Sequence, residues 1–201
     1  MRNRVFQAGR GLTPLLVLLL ASSASAELAV YQVRKGDSTV SFTATKWKVF
    51  KEQGRFREFG GTIAVDFEAP GRSKVELEVR TDSVDTGVGG RDSALRSDDF
   101  LDVARHPKMS FVSTAVVPRG EDLFDVTGDL TIHGVTKKVT VPLRLLGRGP
   151  GPSGSELIGF ETAFSIDRTA YGVLGSRWSG GELLIAREVE IRLLVSADRK
   201  R

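Results

Sequence analysis

Apolar side chains recur at every second position through almost all of the chain beyond residue 27. Val40, Phe42 and Ala44 alternate with Ser41, Thr43 and Thr45, and Val75, Leu77 and Val79 alternate with Glu76, Glu78 and Arg80. The same beat runs through Gly61, Ile63, Val65 and Phe67, then Met109, Phe111 and Ala115, then Phe124, Val126, Leu130 and Ile132. It returns in Val139, Val141, Leu143 and Leu145, in Ile158, Phe160, Phe164 and Ile166, and in Val189, Ile191, Leu193 and Val195. A period of two sends successive side chains to opposite faces, so these are strands with one buried face. With "LAVYQV" at 28–33 they make eight or nine.

Turn chemistry separates the strands: "KGD" at 35–37, "APGRS" at 69–73, "PRGED" at 118–122 and a Gly/Pro-rich stretch at 147–156 read as a long mobile loop. Parallel pairing would need a crossover helix at each connection, and these connections are too short for one. An antiparallel up-and-down sheet follows, and closing it removes its exposed edges. The expectation is an all-β fold, an antiparallel eight-stranded barrel, with one or two short helices between strands. Those helices fall in 89–107, where Ser97 or Asp98 is placed to cap "DFLDVAR". The stretch 167–181 reads as a loop or single helical turn near a barrel mouth.

Arg2, Arg4 and Arg10 precede the apolar run Leu12 to Ala21, and Ala24-Ser25-Ala26 offers an A-x-A cleavage pattern. This reads as a secretory signal peptide over 1–26, with one domain over 27–201. The run is about half the ~20 apolar residues that a membrane span requires. Removing 26 of 201 residues leaves 175, and losing three arginines takes the formal charge from +4 to +1. The remaining charges are interspersed, which argues against a nucleic-acid partner. No cysteine is present, so there is no disulfide, thiolate nucleophile or thiolate metal site.

Few residues invite chemistry. His133 and Gly134 lie where two amphipathic strands reverse, a place that uses the conformational freedom of glycine. His106 is the one other imidazole in the sequence, so His133 reads as a structural turn residue and no metal site is expected. Asp82, Asp85, Asp92, Asp98, Asp99 and Asp102 fit no twelve-residue calcium loop and read as caps and turn residues. G-x-S-x-G is absent, and no catalytic residue or cofactor is indicated. What stands out is aromatic: Phe42, Phe67, Phe111, Phe124, Phe160 and Phe164 at inward positions, with Trp47, Phe50, Phe100, Tyr171 and Trp178 in or beside connections. A barrel of about eight strands can be filled by such side chains or can hold one slender ligand. The alternation does not decide between the two.

Taken in order, "GRFREFGGTI", "SVDTG", "RDSALRSDDFLDVARHPKMSFVST", "VTGDLTIHGVTKKVTVPL" and "IDRTAYGV" resemble the YceI-like family of exported, polyisoprenoid-binding bacterial proteins, over roughly residues 29 to 196. The family's "RD-x-x-L-x-S-x-D-F" segment matches Arg91, Asp92, Leu95, Ser97, Asp99 and Phe100. Ala94 stands where many relatives carry histidine, and "TKWKVFKEQGRF" is more basic than the usual stretch and contains a Trp. The resemblance implies a lipocalin-like barrel whose apolar interior takes the prenyl tail of an isoprenoid lipid, a periplasmic location, and no catalytic residues. Wall candidates are Phe42, Phe111, Phe160 and Phe164, with Leu95, Phe100, Tyr171 and Trp178 near a mouth. A carrier or scavenger is the leading expectation. The alternative is a lipid-modifying enzyme using His133 or Asp129 for proton transfer. A barrel set stably in a membrane is not expected, since charges alternate on the outer face of the strands. Whether two copies pair as a homodimer is left open.

Overall fold

The computed structural model describes residues 28–151, 154–176 and 184–200. The proposed signal peptide at 1–26 and Trp178 lie outside the described residues. Eleven strands among them join into one antiparallel sheet: β1 (Ala29–Val33), β2 (Thr39–Lys46), β3 (Phe50–Phe56), β4 (Phe59–Val65), β5 (Lys74–Arg80), β6 (Val84–Asp85), β7 (Lys108–Pro118), β8 (Leu123–Ile132), β9 (Val135–Pro150), β10 (Glu156–Asp167) and β11 (Ile185–Arg199).

The sheet closes as a barrel of eight. The ring runs β1-β4-β5-β7-β8-β9-β10-β11 and returns through the β1–β11 pairing. β2, β3 and β6 continue the first three walls beyond breaks at Lys35–Asp37, Arg57–Glu58 and Thr81–Ser83. Thus β11 pairs with β2 along its first half (Leu193↔Val40) and with β1 at its end (Ala197↔Val33). Outward positions are polar: Lys74, Glu76, Glu78 and Arg80 of β5 are all exposed. Among the described residues no helix is long and apolar enough to cross a membrane.

Three expectations from the sequence need correction. The helix lies earlier than its presumed cap: α1 spans Gly89–Arg96, and Ser97 ends it, donating its hydroxyl to the Ala94 carbonyl at 2.7 Å. "DFLDVAR" then folds as tight turns, because Asp102 takes a left-handed φ of 44° that no helix tolerates. The Gly/Pro stretch is not one long loop, since Glu156 and Leu157 pair with Pro150 and Gly149 and only 151–155 remain to reverse the chain. Phe67 does not point inward. Asp66, buried, accepts the amides of Glu68 and Ala69 at 3.0 and 2.8 Å, so the strand stops at Val65. The Phe67 ring is left outside, under the Arg148 guanidinium at 4.1 Å.

One end of the barrel is solid. Ala29, Tyr31, Ile63, Ile158, Phe160, Val195 and Ala197 form a buried cluster there. The Tyr31 hydroxyl donates to Glu156 across this plug, and burial together with that carboxylate pushes its pKa up to about 12.

Candidate functional site

Toward the other end the barrel is hollow. A cavity of about 520 Å³ is walled by inward positions of β2, β5, β7, β10 and β11, including Phe42, Leu77, Met109, Phe111, Phe164 and Ile191. Leu95 of α1, with Phe100 and Leu101 of the turns after it, covers the end away from the plug. The volume falls in the ~300–1,000 Å³ range of small-molecule sites.

A wall rich in phenylalanine should fill its own lumen, and two glycines show why this one does not. Gly54 faces Phe42 across the β2–β3 pair, and a Cβ there would lie 2.3 Å from Phe42 Cζ. Gly128, opposite Ser113 in the β7–β8 pair, takes the Phe111 ring diagonally, with a would-be Cβ 2.5 Å from Phe111 Cζ. Each ring therefore lies along the wall over a missing side chain instead of standing into the lumen.

Most of the charged lining gathers at one place. Lys46, Glu52, Gln53, Thr86 and Arg91 rim the cavity where the β2–β3 hairpin faces α1. The Arg91 guanidinium is ion-paired with Glu52, and its Nε donates to Thr86 Oγ1 at 2.8 Å. Asp92, buried, accepts the Thr86 amide at 2.8 Å, which fastens α1 beside this opening. Arg168 also reaches the lining, yet its charge is tied up, because it donates to the carbonyls of Val173, Leu174, Ile185 and Ala186 at 2.6 to 2.9 Å. These bonds hold the segment after β10 against the start of β11.

Of the sequence-derived candidates, Phe42, Leu95, Phe100, Phe111 and Phe164 come together around the cavity. Phe160 does not; it lies two inward positions nearer the plug than Phe164 and is consumed in that core. Tyr171 packs behind the lining with Leu130, Ile132 and Val173, and burial raises its pKa. The single helical turn Arg168–Tyr171 carries it, capped by Asp167, which accepts the Thr169 amide at 2.9 Å.

His133 occupies a two-residue hairpin turn with φ of 51°, followed by Gly134 at 74°. Positive φ at both central positions marks the primed turn whose twist suits a hairpin. Its imidazole lies outside the cavity lining, tilted against His106 with ring centroids 4.4 Å apart. Burial lowers its pKa, and the neighbouring His106 lowers it further, against a smaller opposing pull from Asp102.

The model of the YceI-like domain matches residues 31–197, nearly the whole described chain. The chain belongs to the YceI-like family. Protein YceI of Escherichia coli is 38% identical over 175 residues, covering 85% of this chain and 91% of that one. Among solved structures, Burkholderia cenocepacia BcnA matches with a TM-score of 0.74 at 26% identity, over 82% of this chain and 98% of that one. A polyisoprenoid binding domain from Saccharophagus degradans, implicated in plant cell wall breakdown, matches at 0.67 over 87% and 100% of the two chains; at 19% identity the likeness is one of fold. Within the YceI-like segment "RDSALRSDDF", structure divides the labour: Leu95 and Phe100 face the cavity, Arg91 guards its rim, and Asp92 and Asp99 bind Thr86 and Ser176.

Sequence reasoning missed Gly54, Gly128, Arg91 as a rim residue and Arg168. The two glycines carried a signal, since a glycine at an inward strand position marks a close approach by a neighbour. Arg168 carried none, because a lone arginine after a strand usually stays in water.

Proposed function

We propose that this protein is exported to the periplasm, where it carries or scavenges an isoprenoid lipid held in the hollow half of its barrel. The observation that carries the reading is the cavity, whose wall is mostly apolar and whose charged side chains Lys46, Glu52 and Arg91 gather at one rim. Burying hydrocarbon is worth about 0.8 kcal/mol per CH₂, so a five-carbon unit gains about 4 kcal/mol before the costs of association. Such a wall selects length and girth, and reads a head group only at Lys46, Glu52 and Arg91. The Saccharophagus degradans domain of the same fold, described as polyisoprenoid binding, supports the ligand class, and the signal-like residues 1–26 support export.

The β2–β3 hairpin supports a carrier that meets membranes. At its tip Trp47 and Lys48 both adopt left-handed φ, 50° and 59°, where Asn-Gly would cost less. Trp47, Val49 and Phe50 are exposed among Lys46, Lys48 and Lys51, immediately beside the rim. Aromatic and basic side chains together suit an anionic lipid surface. The enzyme alternative has no comparable support: His133 is outside the lining, and Asp129 stands on the outer wall with Lys138 at 3.6 Å.

The test is mass spectrometry of organic extracts from the purified mature protein, followed by titration with a prenyl quinone. Lipid in the extract, or saturable uptake of the quinone that falls at least tenfold in Ile191→Phe, supports the reading. No lipid and no uptake would remove it.

A further inference from the structure

Asp102, His106 and His133 are far apart in sequence from any motif for metal binding, yet they meet at the loop-covered end of the barrel. The Asp102 carbonyl accepts the His106 amide at 2.8 Å, a tight turn that brings the two residues together. His133 arrives from the β8–β9 turn. One ligand atom from each lies within 4.8 Å of the others. We propose that these three residues hold a divalent transition-metal ion of the zinc class, which fastens the turns after α1 to the β8–β9 hairpin.

Three observations carry the proposal. His133 Nε2 is buried and has no hydrogen-bond partner among the described residues. A buried nitrogen left so costs about 1–3 kcal/mol, and an unpaired group in a folded core points to something missing beside it. The second is the tautomer. Nδ1 is the ring atom facing the Tyr171–Gly172 backbone, and the Tyr171 carbonyl hydrogen-bonds the imidazole. With its proton held on Nδ1, the ring keeps a bare lone pair on the buried Nε2. Metal-bound histidines are commonly oriented in this way, by a carbonyl on the far nitrogen.

The third is the carboxylate. Asp102 is buried and accepts a hydrogen bond from Arg105 Nε on Oδ2 at 2.5 Å, while Oδ1 makes no hydrogen bond among the described residues. A carboxylate steadied through one oxygen and free at the other is what a ligand needs. Two imidazoles and one carboxylate suit a borderline ion such as Zn²⁺ and leave a fourth position for water. A tetrahedral ion with bonds of about 2.1 Å spaces its ligand atoms about 3.4 Å apart, so the side chains close by up to about 1.4 Å on binding. Asp102 and His133 both hold positive φ, 44° and 51°, and binding free energy offsets that local strain.

The position explains a use for the ion. Phe100 and Leu101, which cover the cavity, immediately precede Asp102, and Val173 of the lining follows the Tyr171 carbonyl. The metal would set how firmly that cover sits without touching the guest, so the proposal stands apart from the identity of the lipid.

Protein prepared without a polyhistidine tag and stripped with a chelator should take up one equivalent of Zn²⁺ by calorimetry. Co²⁺ should give visible d–d bands. His133→Asn keeps a residue that tolerates the left-handed turn, and it should weaken zinc binding more than about 100-fold, as should His106→Ala, with Asp102→Asn weaker in effect. Zinc should raise the melting temperature of the wild type and leave that of His133→Asn unmoved. No uptake by the stripped wild type, or undiminished uptake by the His106→Ala/His133→Asn double variant, overturns the site.

Discussion

The two halves of this barrel are built from the same alternating pattern and end in opposite states. At the plugged end Tyr31, Ile158 and Ala197 are at most 1% exposed and interlock with Phe160. At the hollow end Phe42, Leu77, Phe111 and Phe164 face a void of about 520 Å³. Hydrophobicity does not separate them. One difference lies beside the phenylalanines: Phe160 stands between Val195 and Leu145, residues that fill space, whereas Phe42 has Gly54 on one side and lies down over it. One end therefore carries stability and the other is free to carry a guest.

The largest effect should come from cutting the plug. Phe160→Ala leaves a cavity in a close-packed core and should cost about 3–5 kcal/mol in chemical denaturation. Leu77→Ala, whose side chain already borders a void, should cost clearly less than the ~2–5 kcal/mol typical of buried leucine. Equal losses at the two ends would erase the distinction. Next is Tyr31. Its hydrogen bond to the Glu156 carboxylate should make Tyr31→Phe about 1.5–3 kcal/mol less stable at neutral pH. Its folded pKa of about 12 stands above the ordinary 10.0, so the folded state binds this proton more tightly. That stability is complete below pH 10 and is lost as pH rises from 10 toward 12. Denaturation across this window should show the decline in the wild type and its absence, from this group, in Tyr31→Phe.

The closed antiparallel barrel was legible because alternation and short turns both report on local chemistry. Val75, Leu77 and Val79 could not bury together on any helix, and "KGD" or "PRGED" could not span a crossover. Where α1 falls was not legible, since Gly89 and Gly90 are poor helix formers and the helix is fixed by Arg91, Asp92 and Arg96 bonding to Thr86, Val84 and Asp82. The wall candidates were chosen by parity alone, and parity gives a side chain's face and not its depth. Phe160 and Phe164 share a face of β10 and differ only in height, so one lies in the plug and the other at the void. The convergence of Asp102, His106 and His133 was invisible for a related reason. His133 and His106 are brought together by the register of the β7–β8 pair, in which Ser110 stands opposite Thr131, and Asp102 was counted among the turn aspartates.

The smallest effect is also the finest probe of why the upper half is hollow. Gly54→Ala adds one methyl where Phe42 Cζ would be 2.3 Å away and Phe42 Cε1 2.6 Å. The strand backbone at Gly54 is paired with Phe42 of β2, and the next two residues, Arg55 and Phe56, are paired with β6, so it resists moving, whereas the ring can rotate about its own torsions. Phe42 should therefore swing into the lumen, shortening the space for a guest at the level of β2. The stability cost should stay near 1 kcal/mol, because the displaced ring finds room in the void instead of straining a packed core. Uptake of long prenyl chains should fall more than uptake of short ones, measured by competition between two quinones of different tail length. If both fall equally, or neither does, Gly54 is not what keeps the aromatic wall flat, and the opening of this half must come from the tilt of the strands themselves.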